Sequence, residues 1–92
     1  MIRVEQETET DRGWAFRVLL SDESGAETEH VLRLSWMDYD YWSRGVTPPA
    51  RMAEAIFRFL LDRGEAPPKA FDAATLRRKF RQFDTEIDPY LG

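Results

Sequence analysis

Apolar and polar positions alternate with period two through the first third of the chain. Ile2 and Val4 alternate with Arg3 and Glu5, and Trp14, Phe16, Val18 and Leu20 with Ala15, Arg17 and Leu19. Leu32, Leu34 and Trp36 alternate with Val31, Arg33 and Ser35. A period of two puts alternate side chains on opposite sides of a sheet, so three strands are predicted. Thr10-Asp11-Arg12-Gly13 offers a glycine at a turn position and closes the first hairpin, and Ser21-Asp22-Glu23-Ser24-Gly25 begins a longer second turn. The expected product is an antiparallel meander over residues 1–34, with Arg3, Glu5, Arg17 and Arg33 on its polar face.

From Ser35 the period lengthens. Ser35-Trp36-Met37-Asp38 has capping-box spacing, and a short helix through about Trp42 ends near Gly45. Thr47-Pro48-Pro49 predicts a second start, with Thr47 as cap and Pro48 in the first helical position, where its missing N–H costs nothing. Met52, Ile56, Phe59 and Leu60 then form one apolar stripe, broadened by Ala53, Ala55, Phe57 and Leu61 and stopped at Gly64. Glu65-Ala66-Pro67-Pro68-Lys69 reads as loop. Asp72 caps a third helix, carried by Leu76, Phe80 and Phe83 to about Gln82; beyond it, Ile87 and Leu91 belong to one packed turn broken at Pro89. The expected fold is α+β: a three-stranded antiparallel β-meander followed by three helices packed on one face. It forms one domain, with residues 1–34 as the meander and 35–92 as the helical part.

Composition narrows the classes. At 42% hydrophobic and 13% aromatic, the 92 residues are too apolar for a disordered acidic tail. No run approaches the roughly 18 apolar residues of a membrane span. With no cysteine, thiolate metal sites and disulfides are excluded. The start turns acidic at Glu5, Glu7 and Glu9, unlike a signal peptide, so no export and a cytoplasmic location are expected. The net charge of −4 argues against nucleic acid. It is unevenly spread, with four basic and ten acidic residues in 1–43 against nine and seven in the remainder.

The stretch Phe57-Arg58-Phe59-Leu60-Leu61-Asp62-Arg63, followed by Phe71-Asp72, Phe80, Phe83 and Glu86-Ile87, resembles a group of small uncharacterised bacterial proteins. In these, strands precede a helix with an FRFLL-acid-Arg ending and an aromatic-rich tail. The resemblance covers roughly the last 60 residues. It implies an α+β domain, and it carries over no activity and no functional residue. The chain departs from the group's pattern at Ala66-Pro67-Pro68-Lys69-Ala70, where the group has a more polar connection.

Residues that bear chemistry are few. His30, the single histidine, is expected at the surface or a strand edge. No serine sits in a nucleophile elbow and the five glycines are scattered, so no phosphate-cradling loop is predicted. Asp84, Glu86 and Asp88 imitate the start of a calcium loop, but Pro89 stands where that loop needs glycine. Neither metal nor cofactor is expected, and no enzymatic activity.

Two features point to partners instead. Trp36, Tyr39, Tyr41 and Trp42 crowd four aromatics into seven residues, either as core or as an interface. On a helix Tyr41 faces away from the others and is the residue expected to meet a partner. Arg77, Arg78 and Arg81 with Lys79 make a basic helix, paired internally or with an acidic partner. The expected function is therefore a protein-interaction module, with an unidentified protein or a second copy as partner. The alternative is a ribbon–helix–helix-like DNA-binding regulator, in which the His30–Ser35 strand pairs across a dimer and presents Val31, Arg33 and Ser35 to the major groove.

Overall fold

Each period-two stretch becomes a long strand in the computed structural model, which describes residues 1–91. The strands β1 (Ile2–Glu9), β2 (Gly13–Ser21) and β3 (Glu27–Ser35) are antiparallel neighbours. A fourth, β4 (Ala70–Asp72), pairs in parallel with β3, so the sheet is mixed with order β1-β2-β3-β4. The fold is α+β as expected, and the three-stranded antiparallel sheet is corrected to four strands. Three residues leave no periodic trace in a sequence. β4 is joined to β3 over three residue pairs, and just before it Val31 donates a hydrogen bond to the Lys69 carbonyl (2.8 Å), at the end of the proline loop.

The first hairpin is tight. The Gly13 amide donates to Thr10 Oγ1 (3.1 Å), and a Cβ on Gly13 would lie 2.1 Å from the Leu34 carbonyl oxygen. Only glycine permits β2 and β3 to meet so closely there. In β1 the register slips: Val4 opposes Val18, but Gln6 opposes Arg17, leaving Glu5 as the extra residue of a bulge. The bulge places Glu7 and Glu9 opposite Phe16 and Trp14, where simple alternation puts Gln6 and Thr8. A bulge and an acidic row both discourage a second strand from adding to this open edge.

Six helical pieces follow: α1 (Trp36–Ser43), α2 (Pro49–Asp62), a 3₁₀ turn (Ala73–Thr75), α3 (Leu76–Lys79), α4 (Phe83–Glu86) and α5 (Asp88–Leu91). Ser35 caps α1 as predicted, accepting from the Asp38 amide (3.1 Å). At α2 the boundary moves by one residue, with Pro48 in the cap position and Pro49 first in the helix. Thr47 makes no cap there, and its hydroxyl donates to the Leu91 carbonyl (3.2 Å). The single third helix to Gln82 is corrected to short turns. Phe80 is extended, and this break lets both Phe80 and Phe83 set their edges against the Phe59 ring, at 5.2 and 4.9 Å.

Phe16, Val18, Leu32 and Leu34 supply the sheet's side of the core, and α2 supplies Met52, Ile56, Phe59 and Leu60. Phe57, on α2's flank, is fully buried as well, because Phe71 of β4 covers it at 5.7 Å. The opposite sheet face carries Arg17 and Arg33 with half-buried Leu19 and Val31. Since β3 is paired on both edges, it offers no free ribbon for the dimer that the ribbon–helix–helix alternative requires.

His30 is corrected from the surface to the core, 5% exposed. One ring nitrogen lies 2.7 Å from the Pro68 carbonyl and the other 2.9 Å from the Thr28 hydroxyl, with the Phe57 ring tilted against it at 5.6 Å. The carbonyl can only accept, so Nδ1 carries a proton and donates to it, and Nε2 makes the bond with the Thr28 hydroxyl. The ring thereby ties β3 to the loop that delivers β4. Replacing His30 with alanine strips the Pro68 carbonyl of its partner and opens a cavity beside Phe57, at about 2 kcal/mol. The expected result is a Tm lower by roughly 8–16 °C, with amide exchange at residues 70–72 accelerated more than in β1 and β2.

Candidate partner-binding surface

The aromatic cluster divides between core and surface. Tyr39 turns inward: its ring meets Trp14 edge-on at 5.1 Å and its hydroxyl donates to the Thr47 carbonyl. Trp42 is 3% exposed, T-stacked on Phe83 at 5.0 Å. Of the two readings the cluster left open, Tyr39 and Trp42 take the core one. Trp36 is half out, touching Trp14 at 6.5 Å, and Tyr41 is 62% exposed.

Buried Trp42 needs a hydrogen-bond acceptor for its indole N–H. It finds Asp84, 42 residues further on, at 2.6 Å. Arg77 completes the arrangement. Its Nε donates to Asp84 (3.0 Å), its Nη1 to Asp38 (2.7 Å), and its guanidinium carbon lies 4.6 Å from the Trp42 ring and 5.4 Å from that of Tyr41. One cation thus joins α1, α3 and α4. The break at Phe80 makes this possible, since seven residues of unbroken helix would set Arg77 and Asp84 about 10.5 Å apart along the axis. Burial raises the pKa of Asp84, but hydrogen bonds from Trp42 and Arg77 and the guanidinium charge outweigh it and hold the carboxyl below its ordinary value. Burial likewise opposes the Arg77 charge, and the bonds to Asp38 and Asp84 more than compensate, raising its pKa.

The other predicted basic residues do not join this cluster. Lys79 pairs with Glu65 (3.1 Å), while Arg78 and Arg81 are exposed and make no ion pair among the described residues. Two of the three acids of the calcium-like stretch are otherwise engaged, Asp84 by Arg77 and Glu86 by Arg63 (2.7 Å), and Ile87 between them and Asp88 is buried. No three metal-ligating side chains converge among the described residues, and no helix there is long and apolar enough to cross a membrane.

What remains outward is one face of α1. Met37 and Tyr41 lie one turn apart, 83% and 62% exposed, with Trp36 beside them and Val46 just beyond the helix. The sequence reading missed Met37 and Val46, although the i, i+4 spacing of Met37 and Tyr41 was a usable signal. A cleft of about 410 Å³ adjoins Tyr41, lined by Asp40, Trp42, Arg44, Asp84, Thr85 and Asp88. A second, of about 440 Å³, opens at the end of the sheet between the first hairpin and Asp72. Two of its carboxylates are already committed, Asp38 to Arg77 and Asp72 to the Ala74 amide (2.9 Å). Compared with models of protein families, with curated proteins and with solved structures, the chain matches none of them.

Two measurements check the clamp. Arg77→Met leaves Asp38 and Asp84 unpaired; because the guanidinium is about one-third exposed, the expected loss is only about 1–2 kcal/mol, with a change in Trp42 fluorescence. Asp84 has a depressed folded-state pKa, so its contribution is complete above the ordinary value of 3.8 and is lost as pH falls through the depressed one. The urea midpoint therefore drops between about pH 5 and pH 2, and Asp84→Asn makes that drop shallower.

Proposed function

We propose that the protein is a non-enzymatic interaction module that docks a partner protein on the outer face of α1. The observation that carries this reading is the concentration of exposed apolar surface. Of six large apolar side chains exposed among the described residues, four (Trp36, Met37, Tyr41 and Val46) fall within eleven consecutive positions. Scattered exposed apolars are ordinary, but a concentration of them in one short segment, with aromatics and a methionine, is of the kind protein interfaces enrich. Its footing is rigid. Ser35 caps α1, the Arg77 clamp fixes its side, and Arg44 in the left-handed conformation ends it with a bond from its amide to the Asp40 carbonyl (2.8 Å). Of the residues singled out in the sequence, Trp36 and Tyr41 belong to this surface, while Arg78 and Arg81 are exposed on or beside α3.

The test is capture of interacting protein from a lysate by the tagged chain and by a Met37→Ser/Tyr41→Ser variant. Both positions are exposed, so the variant is expected to melt within a few °C of the parent, with capture reduced about tenfold or more. Equal capture by both proteins overturns the proposal.

A further inference from the structure

The chemistry beneath Tyr41 indicates what kind of partner the α1 face takes. We infer that the docking segment carries an arginine, whose guanidinium enters the cleft between α1 and the C-terminal turns while a neighbouring apolar side chain lies on Met37 and Trp36. This rests on the reading of α1 as a docking surface.

The molecule already holds one guanidinium this way. Arg77 stacks over Trp42 and Tyr41 at 4.6 and 5.4 Å and is pinned by Asp38 and Asp84 at 2.7 and 3.0 Å. That contact leaves Tyr41 62% exposed. The cleft bordering it carries Asp40 and Asp88, neither in an ion pair among the described residues. Counting Asp38 and Asp84 against Arg77, and Asp40 and Asp88 against Arg44 on the cleft wall, the locality stays negative. An aromatic face beside uncompensated carboxylates favours a cation that can stack and donate hydrogen bonds to two acceptors at once. Planar guanidinium does both; the compact lysine ammonium, more strongly hydrated, does so less well. A metal ion is disfavoured, because no three ligating side chains converge among the described residues.

Spacing adds a constraint. Met37 and Tyr41 are four residues apart, about 6 Å along the helix. In an extended segment that distance separates residues i and i+2, about 6.7 Å. An apolar-x-Arg sequence therefore spans from the apolar face to the cleft.

The experiment is an amide NMR titration of the full chain with acetyl-Leu-Ser-Arg-amide, with its citrulline analogue (isosteric and uncharged), and with acetyl-Leu-Ser-Glu-amide. The expected result is millimolar binding of the arginine peptide, about −4 kcal/mol, shifting the amides of Asp40, Tyr41 and Thr85. The citrulline peptide should bind about tenfold more weakly and the glutamate peptide not at all. An Asp40→Asn/Asp88→Asn variant should lose the response while keeping the parent Trp42 indole resonance, which reports an intact clamp. Equal shifts from arginine and citrulline peptides overturn this inference and leave the docking surface standing. No shifts from any peptide up to about 10 mM also overturn it, and the Met37/Tyr41 capture experiment then decides separately whether the surface itself survives. Shifts at these amides on dilution of the protein alone identify a second copy as the occupant, which equally overturns it.

Discussion

The charge of Arg77 ties α1, α3 and α4 together, beside the packing of Trp42 on Phe83. α3 and α4 are single turns of four residues, far below the length at which a helix persists by itself. Their positions are set from outside, by Phe83 and Leu76 in the core and by the guanidinium that reaches Asp38 on α1 and Asp84 on α4. The same cation, with Asp84, lets an indole be buried without an unsatisfied donor. Without that satisfaction Trp42 could not serve as the inner wall of α1, and without the wall α1 would have no fixed outer face to offer.

α2 is the other fixed point. An amphipathic surface helix buries one stripe, but α2 buries Met52, Ala53, Ala55, Ile56, Phe57, Phe59 and Leu60, more than half of its circumference. The sheet takes one side, β4 and His30 the flank at Phe57, and the C-terminal turns close over Phe59 through Phe80, Phe83 and Tyr90. Arg63 finishes the end of the helix, its guanidinium 4.4 Å from the Phe59 ring and paired with Glu86. Short irregular turns can have definite positions because each places one aromatic ring against this helix.

Local pattern was legible and distant partnership was not. The three long strands, both main helices, the Ser35 cap and the Asp72 cap follow from spacing within a few residues. β4 depends on a partner about forty residues earlier, and its two neighbouring prolines disguise it as loop. The Glu5 bulge changes which acids line the edge of β1, yet it leaves no mark in an alternation that continues unbroken on paper. His30 beside Glu29 resembles a surface histidine until the Pro68 carbonyl is brought to its ring. For the site, Tyr41's outward aim followed from helical geometry alone. Trp42's burial required Phe83 and Asp84, which nothing near Trp42 announces. Arg77 was visible as one of several cations, but only the break at Phe80 singles it out from Arg78 and Arg81.

The parallel pairing of β4 with β3 has a kinetic meaning. The meander is made of near neighbours in sequence and can assemble by successive hairpin closures. β4 returns to β3 only after α1, α2 and the proline loop have been traversed, so its closure entropy is met last and rewarded by three residue pairs. The chain is thus divided into a locally determined half and a half whose order is borrowed from it. By this division an opening that begins at β4 is expected to loosen the proline loop and Phe71 before the hairpins. Since the Arg77 clamp lies on the borrowed half, α1 is tied to that half through Asp38 and Trp42.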